Sequence, residues 1–151
     1  MNYLGVDYGT QRIGLSTGDD ELRFAVPLKC ISGKNLDEVY ISIKEIIHSH
    51  KIGKIIVGYP LNMDGSVGYK AREVDTFIKL LQERVGDIPI ERGDERLTSE
   101  SVGDLRHRSG KARRRLRRGG AIDSAAAVII LQDYFDTLAI NQDASVSDLG
   151  L

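Results

Sequence analysis

Residues 3–16 read YLGVDYGTQRIGLS, and this stretch determines how the rest of the chain can be arranged. A short apolar run ends at Asp7, the chain turns at Gly9, and a second apolar run begins at Ile13. The pattern predicts two strands joined by a tight turn. An aspartate at the end of a buried strand is costly unless it is paired, hydrogen-bonded or bound to a cation. Asp7 is therefore either a turn cap that accepts a backbone N–H or part of a functional site.

Length and composition are those of one soluble globular domain. The chain has 151 residues, of which 41% are hydrophobic and 28% charged, enough for a sizeable core. A single cysteine, Cys30, excludes an internal disulfide. Neither a signal-like start nor an apolar run of membrane-spanning length is present, so we expect a cytoplasmic protein without membrane contact. We expect one domain over residues 1–138 and a polar, disordered tail over residues 139–151.

Hydrophobic periodicity predicts strands and helices along the whole chain. Asn35 and Gly86 mark the start of the first helix and the end of the second, and Thr98 or Ser99 can cap a third. Pro27 indicates that the third strand lies at a sheet edge or carries a bulge. In chain order the prediction is strands at 3–7, 13–17 and 22–31, a helix at 36–47, a strand at 54–59, a helix at 74–85, a strand from 88, a helix after 98 and a helix at 121–138.

This order predicts an α/β fold: a five-stranded mixed sheet with helices on both faces. The architecture resembles the ribonuclease H-like fold. Sites in open α/β sheets form outside the carboxyl ends of parallel strands. Asp7 and the pair Asp94-Glu95 occupy such ends, and Asp123 lies in the first turn of the last helix. We therefore expect three separated acids to meet at one edge of the sheet.

Each acid also has a structural explanation. Glu95 can pair with Arg92 or Arg96, and the helix macrodipole favours Asp123 in a first turn whatever its function. Together, the acids suit metal-assisted phosphodiester hydrolysis, in which carboxylate oxygens hold Mg²⁺ or Mn²⁺. Two such ions roughly 3.5–4 Å apart can activate a water and stabilise the leaving oxygen.

Four separated motifs carry a resemblance to a known family: VDYGTQRIG (6–14), IVGYPLNMDG (56–65), DERLT (94–98) and IDSAAAVIILQ (122–132). On these motifs the chain is identified as a member of the YqgF family, also called RuvX. The resemblance covers residues 3 to about 136. It implies a cytoplasmic bacterial nuclease with the ribonuclease H-like fold, a hydrolase that acts on ester bonds. Its implied role is processing of the 5′ end of pre-16S rRNA, with Holliday junction resolution as the older proposal.

Carried over by position, the resemblance implies that Asp7, Glu95 and Asp123 are catalytic and hold the metal. Successive strand residues point to opposite faces, so only one of Asp94 and Glu95 is expected to reach it. We favour Glu95 for its longer side chain and keep Asp94 as the alternative. Gly93 departs from the bulkier residue expected there, and a bulge at Gly93 would reverse this choice.

A basic segment precedes the last helix. Residues 106–118 contain eight Lys or Arg and no acid, and without them the net charge would fall from −1 to −9. Such a run is commonly a solvated loop. Its position beside the acids instead indicates contact with a nucleic-acid backbone, and the absence of interleaved aromatic residues argues against base stacking. The arginines expected to contact phosphate are Arg96, Arg113, Arg114, Arg115, Arg117 and Arg118.

Three further residues are candidates for contact with phosphate or ribose. Asn62 lies in the loop of residues 58–65, which can equally be a rigid turn built by Pro60 and capped by Asn62 or Asp64. Thr10 and Arg12 have the same ambiguity between turn chemistry and phosphate contact.

Three function classes remain open. The first is a nuclease for structured nucleic acid, with precursor rRNA favoured and a four-way DNA junction as the alternative. The second is an ATP-binding protein, because Asp-x-Gly-Thr resembles the phosphate loop of actin-like and sugar-kinase ATPases. Those proteins close two such domains around nucleotide, whereas this chain has one. The third is an inactive nucleic-acid-binding module.

Overall fold

The computed structural model describes residues 1–60, 64–94 and 122–148, and the side chains of residues 1–60, 64–93 and 124–140. Five strands form one sheet in the order β3-β2-β1-β4-β5. The strands β1, β2 and β3 are antiparallel neighbours, whereas β4 and β5 extend the sheet in parallel from β1. The elements are β1 (Asn2–Asp7), β2 (Arg12–Asp19), β3 (Phe24–Ser32), α1 (Leu36–His50), β4 (Ile52–Tyr59), α2 (Tyr69–Val85), β5 (Ile90–Asp94) and α3 (Ile122–Asp148).

The sheet is covered on both faces, which confirms the predicted α/β architecture. The helices α1 and α2 bury one face over a core that includes Leu4, Val57 and Phe77. The helix α3 covers the other face with a smaller core that includes Ile56 and Phe135. Within the described ranges, no helix is long and apolar enough to span a membrane.

The strand β3 begins later than predicted. Leu22, assigned from the sequence to the strand, lies instead in the preceding turn, with 83% of its surface exposed. The turn is closed by the backbone N–H of Arg23, which donates to the carbonyl oxygen of Asp19 at 2.7 Å while Arg23 has a φ of 54°. Both expectations for Pro27 are confirmed, because β3 is an edge strand and its register with β2 shifts at Ser16–Pro27.

The helix ends follow the predicted caps where the structure describes them. Asn35 accepts a hydrogen bond from the backbone N–H of Glu38 at 3.3 Å, and α2 ends before Gly86, whose φ is 70°. The predicted end of the last helix at Leu138 is ten residues short of the observed end at Asp148. Residues 139–148 contain no glycine or proline, so an established helix can propagate through them. The predicted helix after residue 98 lies outside the described residues.

Candidate active site

Asp7 is the last residue of β1 and belongs to the face of the sheet that α3 covers. Leu4 and Val6 pack in the core beneath α1 and α2, whereas Tyr3 packs beneath α3. Gly5 also faces α3, because a Cβ there would lie 2.9 Å from the carbonyl oxygen of Ala127. Because side chains alternate along a strand, Asp7 shares this second face.

The Asp7 carboxylate is partly buried and lacks a compensating partner in the described part of the chain. Burial raises its pKa above the ordinary value for an aspartate. No described residue donates a hydrogen bond or forms an ion pair to it, so Asp7 is not the turn cap that the sequence allowed. A desolvated carboxylate without a partner is the arrangement expected of an acid that binds a cation or a proton.

The turn after Asp7 is compact. A Cβ at Gly9 would lie 2.5 Å from the backbone oxygen of Arg12, so only glycine fits this geometry. The backbone N–H of Gly33 donates to the carbonyl oxygen of Gln11 at 2.9 Å and ties the turn to the end of β3. Thr10 and Arg12 are both exposed here. They therefore lie in solvent at the same edge of the sheet as Asp7.

The helix α3 runs antiparallel to β1. The ring of Phe135 contacts that of Tyr3 at the start of β1, with centroids 5.4 Å apart. Nearer the helix N-terminus, Leu131 and Ala127 lie against Gly5. The C-terminal end of β1, where Asp7 lies, is therefore nearest to the N-terminal end of α3.

This direction brings the first turn of α3 to the end of β1. The two residues from Gly5 to Asp7 span about 7 Å of strand, and the four residues from Ala127 back to Asp123 span about 6 Å of helix. Asp123 is the second residue of α3. The backbone position of Asp123 therefore lies at the same edge as Asp7, although the structure does not describe its side chain.

The strand β5 reaches the same edge without a bulge. It pairs with β4 residue for residue from Ile55–Ile90 to Tyr59–Asp94. The bulge that the sequence allowed at Gly93 is therefore absent. A Cβ at Gly93 would lie 3.1 Å from a methyl carbon of Ile130, so glycine here allows α3 to pack closely on the sheet.

The alternation along β5 assigns its positions to the two faces. Glu91 pairs with Lys54 at 3.2 Å beside Tyr134 of α3, and Gly93 lies under α3. Arg92 is on the opposite face, where it pairs with Asp75 of α2. The position of Asp94 therefore belongs to the α2 face by backbone register, and Glu95 lies outside the described residues.

Several predicted contact residues belong to the undescribed part of the chain. Asn62, Arg96 and the arginines of residues 106–118 lie outside the described residues, together with Glu95. Of the loop after β4, Asp64 accepts hydrogen bonds from the N–H and hydroxyl of Ser66 at 2.9 and 2.6 Å. These bonds lower the pKa of Asp64 and fit the turn-capping interpretation of this residue. Within the described ranges no group of three or more His, Cys, Asp or Glu side chains is suited to a metal ion.

Sequence patterns gave no indication of two other features of this edge. One is the close approach of α3 to Gly5, and the other is a network in which Asp75 binds both Tyr59 and Arg92. Both depend on pairs of residues distant in sequence. A glycine within a strand is the only local signal, because it often marks close approach of another backbone.

The strand order, the acid at the end of the first strand and the terminal helix across the sheet define the ribonuclease H-like fold. The chain resembles two solved structures from Thermus thermophilus. One is RuvC in complex with a Holliday junction substrate, with a TM-score of 0.57 and 14% identity, covering 92% of this chain and 96% of that chain. The other is RuvC alone, with a TM-score of 0.55 and 15% identity over the same shares.

The family follows from sequence comparison. The model of the RuvX family, described as Holliday junction resolvase, matches residues 1–137. A relative from Anaeromyxobacter sp. (strain Fw109-5) is 39% identical over 136 residues, covering 90% of this chain and 97% of the relative. One from Opitutus terrae is 39% identical over 137 residues, covering 90% and 92%. Both are named "Putative pre-16S rRNA nuclease". The chain belongs to the RuvX (YqgF) family.

Membership makes the chain a nuclease, a hydrolase acting on ester bonds. Nucleases of the RuvC-like class generally use a divalent metal ion. The Asp7 carboxylate, partly buried and without a partner in the described part of the chain, fits such an ion, because carboxylate oxygens are its preferred protein ligands.

Proposed function

We propose that this chain hydrolyses phosphodiester bonds of structured nucleic acid at the edge where β1 and α3 meet. The observation that carries the proposal is the Asp7 carboxylate, which is partly buried at the end of a central strand without a partner among the described residues. Asp123 lies in the first turn of a helix that runs back toward this carboxylate. The backbone positions of two acids on separate elements thus lie at one edge of the sheet, which supports metal-assisted hydrolysis.

In this proposal Asp7, Glu95 and Asp123 hold Mg²⁺ or Mn²⁺. The bound ion would supply an activated water and offset the negative charge of the phosphate. Asp7 would contribute a charged oxygen whose burial leaves it poorly solvated and therefore ready to bind a cation. Its rigid strand and the tight turn at Gly9 would hold that oxygen in position.

Glu95 is proposed in preference to Asp94 because of strand alternation. Glu91 and Gly93 belong to the face that carries Asp7, whereas Arg92 belongs to the other. If the same alternation continues by one residue beyond Asp94, position 95 returns to the face of Asp7. Asp94 remains the alternative ligand.

Positive and neutral polar side chains would bind the substrate backbone. Thr10 and Arg12 are exposed on the turn after Asp7. Because the chain without residues 106–118 carries a net charge of −9, local arginines must supply the attraction to phosphate. The remaining proposed contacts are Asn62, Arg96, Arg113, Arg114, Arg115, Arg117 and Arg118.

The proposed substrate is precursor rRNA, with cleavage at the 5′ end of pre-16S rRNA in the cytoplasm. The names of the relatives from Anaeromyxobacter and Opitutus support this choice. A four-way DNA junction is the second candidate. It is supported by the description of the matching family and by the similarity to RuvC bound to a Holliday junction.

The test is cleavage of two labelled substrates by the purified protein. Precursor rRNA and a four-way DNA junction are each incubated with Mg²⁺, with Mn²⁺ or with EDTA. Metal-dependent cleavage of the RNA supports the first proposal, and cleavage of the junction alone supports the second. Within the acidic pair, Glu95→Gln should reduce cleavage more than Asp94→Asn, and the reverse ranking would show that Asp94 is the ligand. No cleavage of either substrate would contradict both candidates.

A further inference from the structure

A three-residue network joins α2 to the ends of β4 and β5. The hydroxyl of Tyr59 donates to Oδ2 of Asp75 at 2.8 Å. The guanidinium of Arg92 pairs with Oδ1 of the same carboxylate. It also lies over the Tyr59 ring, with its central carbon 4.6 Å from the ring centroid. Each of the three residues thus contacts the other two.

Part of the network is buried. Tyr59 is only 6% exposed, and Oδ1 of Asp75 is a buried atom that forms an ion pair with Arg92 but accepts no hydrogen bond among the described residues. An exposed ion pair commonly contributes little to stability. A carboxylate that binds both a hydroxyl and a guanidinium in a partly desolvated setting is held more rigidly, because charge-assisted bonds are stronger than neutral ones.

The position of this network relates it to the candidate active site. Tyr59 is the last residue of β4, directly before Pro60 and two residues before the undescribed segment 61–63 that contains Asn62. Arg92 is two residues before the end of β5, where Asp94-Glu95 follows. One carboxylate of α2 therefore connects β4 and β5 close to the ends of both strands.

We propose that Asp75 is a positioning residue of this nuclease, one that holds the ends of β4 and β5 at a fixed separation. The inference rests on the proposed function, because it assigns the pair Asp94-Glu95 to the same site as Asp7. Catalytic carboxylates must be held within about 0.5 Å of their working geometry, so loosening the strand that carries them lowers turnover. Asp75 lies on the α2 face, opposite Asp7, and acts through Tyr59 and Arg92 rather than on substrate.

The structure offers a matched control. Arg84 pairs with Asp37 at 3.3 Å and lies over the ring of Tyr40, 5.1 Å from its centroid. This trio has the same residue types, but it joins α2 to α1 rather than to a strand. Asp37→Asn should therefore remove a more exposed ion pair of the same residue types without altering the strand ends.

The experiment compares wild-type protein with Asp75→Asn, Tyr59→Phe, Asp37→Asn and Asp7→Asn. Four quantities are measured: kcat and KM with Mg²⁺, substrate affinity in EDTA, and the rise in melting temperature on adding Mg²⁺. Asp75→Asn should lower kcat by about 10- to 100-fold and reduce the Mg²⁺-induced rise, with affinity in EDTA unchanged. Tyr59→Phe, which keeps the ring under Arg92, should lower kcat by a smaller factor. Asp37→Asn should match wild type in all four.

The outcomes separate this inference from the proposed function. If Asp75→Asn and Tyr59→Phe keep the wild-type kcat and Mg²⁺ response, the network is only structural and the inference is wrong. If Asp75→Asn does not fold, Tyr59→Phe alone decides by the same criterion. If Asp7→Asn cleaves like wild type, the proposed function fails instead. A lower kcat and a reduced Mg²⁺ response in Asp75→Asn, together with wild-type values in Asp37→Asn, would support the positioning role.

Discussion

The hydroxyl of Ser16 donates a hydrogen bond to the backbone carbonyl oxygen of Ala127 at 2.7 Å. Ser16 is fully buried in β2 and is the register partner of Gly5 in β1. The bond attaches α3 to the middle of the sheet at the point where Gly5 leaves room for the helix backbone. The first residues of α3 extend from this point toward Asp7. The hydrogen bond between Ser16 and Ala127 therefore helps to fix the backbone position of Asp123.

Gly5→Ala should disrupt this attachment. The added Cβ would lie 2.2 Å from the Ser16 oxygen and 2.9 Å from the Ala127 oxygen. We expect a loss of about 1–3 kcal/mol in the free energy of unfolding, measured in urea, together with reduced cleavage. Gly53→Ala is the control, because the three atoms nearest to its Cβ would all belong to the flexible side chain of Met1. Equal unfolding free energies for Gly5→Ala and wild type would show that α3 is not held by close packing here.

Asp7→Asn should stabilise the metal-free protein while it strongly reduces cleavage. Because burial raises the pKa of Asp7 in the fold, the folded state binds more protons than the unfolded state between the ordinary and the raised pKa. Stability therefore falls as pH rises through this window, and the ionised carboxylate remains unfavourable at neutral pH. We expect a higher melting temperature for Asp7→Asn at pH 7 in EDTA, and cleavage at least about 10²-fold lower with metal. A lower melting temperature would indicate that Asp7 is a structural acid.

Asp133 should make stability depend on pH. Burial raises the pKa of Asp133 to about 6, with a further contribution from the charge of Asp136. Because the unfolded pKa is about 4, the free energy of unfolding should fall as pH rises between about 4 and 6. Urea titrations across this range should show a smaller fall for Asp133→Asn, and an intermediate one for Asp136→Asn. The same pH dependence in Asp133→Asn would assign the effect to another group.

Replacing Arg113, Arg114 and Arg115 by Gln should weaken substrate binding without removing chemistry. Affinity should fall for all sequences, and each lost phosphate contact should reduce the slope of log affinity against log salt by roughly 0.7 to 0.9. Cleavage of saturating substrate and Mg²⁺ affinity should change much less. An unaltered affinity and salt slope would indicate that the segment is a solvated loop without phosphate contacts. Normal binding without cleavage would indicate that one of these arginines stabilises the transition state.

Local patterns were sufficient to predict most of the fold. The alternation in β1 and β2, the cap at Asn35 and the stop at Gly86 each depend on interactions between near neighbours, and all are observed. Leu22 was misassigned because alternation continued through a turn that Arg23 closes with a positive φ. The end of α3 was missed because polar residues after Leu138 carry no apolar stripe, although they are compatible with a helix.

The candidate site was less accessible from sequence. Asp7 could be predicted because an aspartate at the end of an apolar run is unusual in a sequence. The structure adds that its carboxylate has no partner among the described residues. Gly93 allows close packing against Ile130, and Arg92 forms an ion pair with Asp75. Local sequence patterns predict neither contact, because the partners are distant in sequence. Such contacts between distant segments form only when the helices pack against the sheet.

Titration calorimetry with Mg²⁺ and Mn²⁺ tests most directly the claim that acids from separate elements form one cation site. Wild-type protein should bind at millimolar concentrations and melt at a higher temperature with metal, because a ligand that binds only the folded state stabilises it. Asp7→Asn and Asp123→Asn should each lose both the binding heat and the rise in melting temperature while remaining folded. If wild type shows neither effect, or if both variants bind as wild type does, Asp7 and Asp123 do not share a metal site.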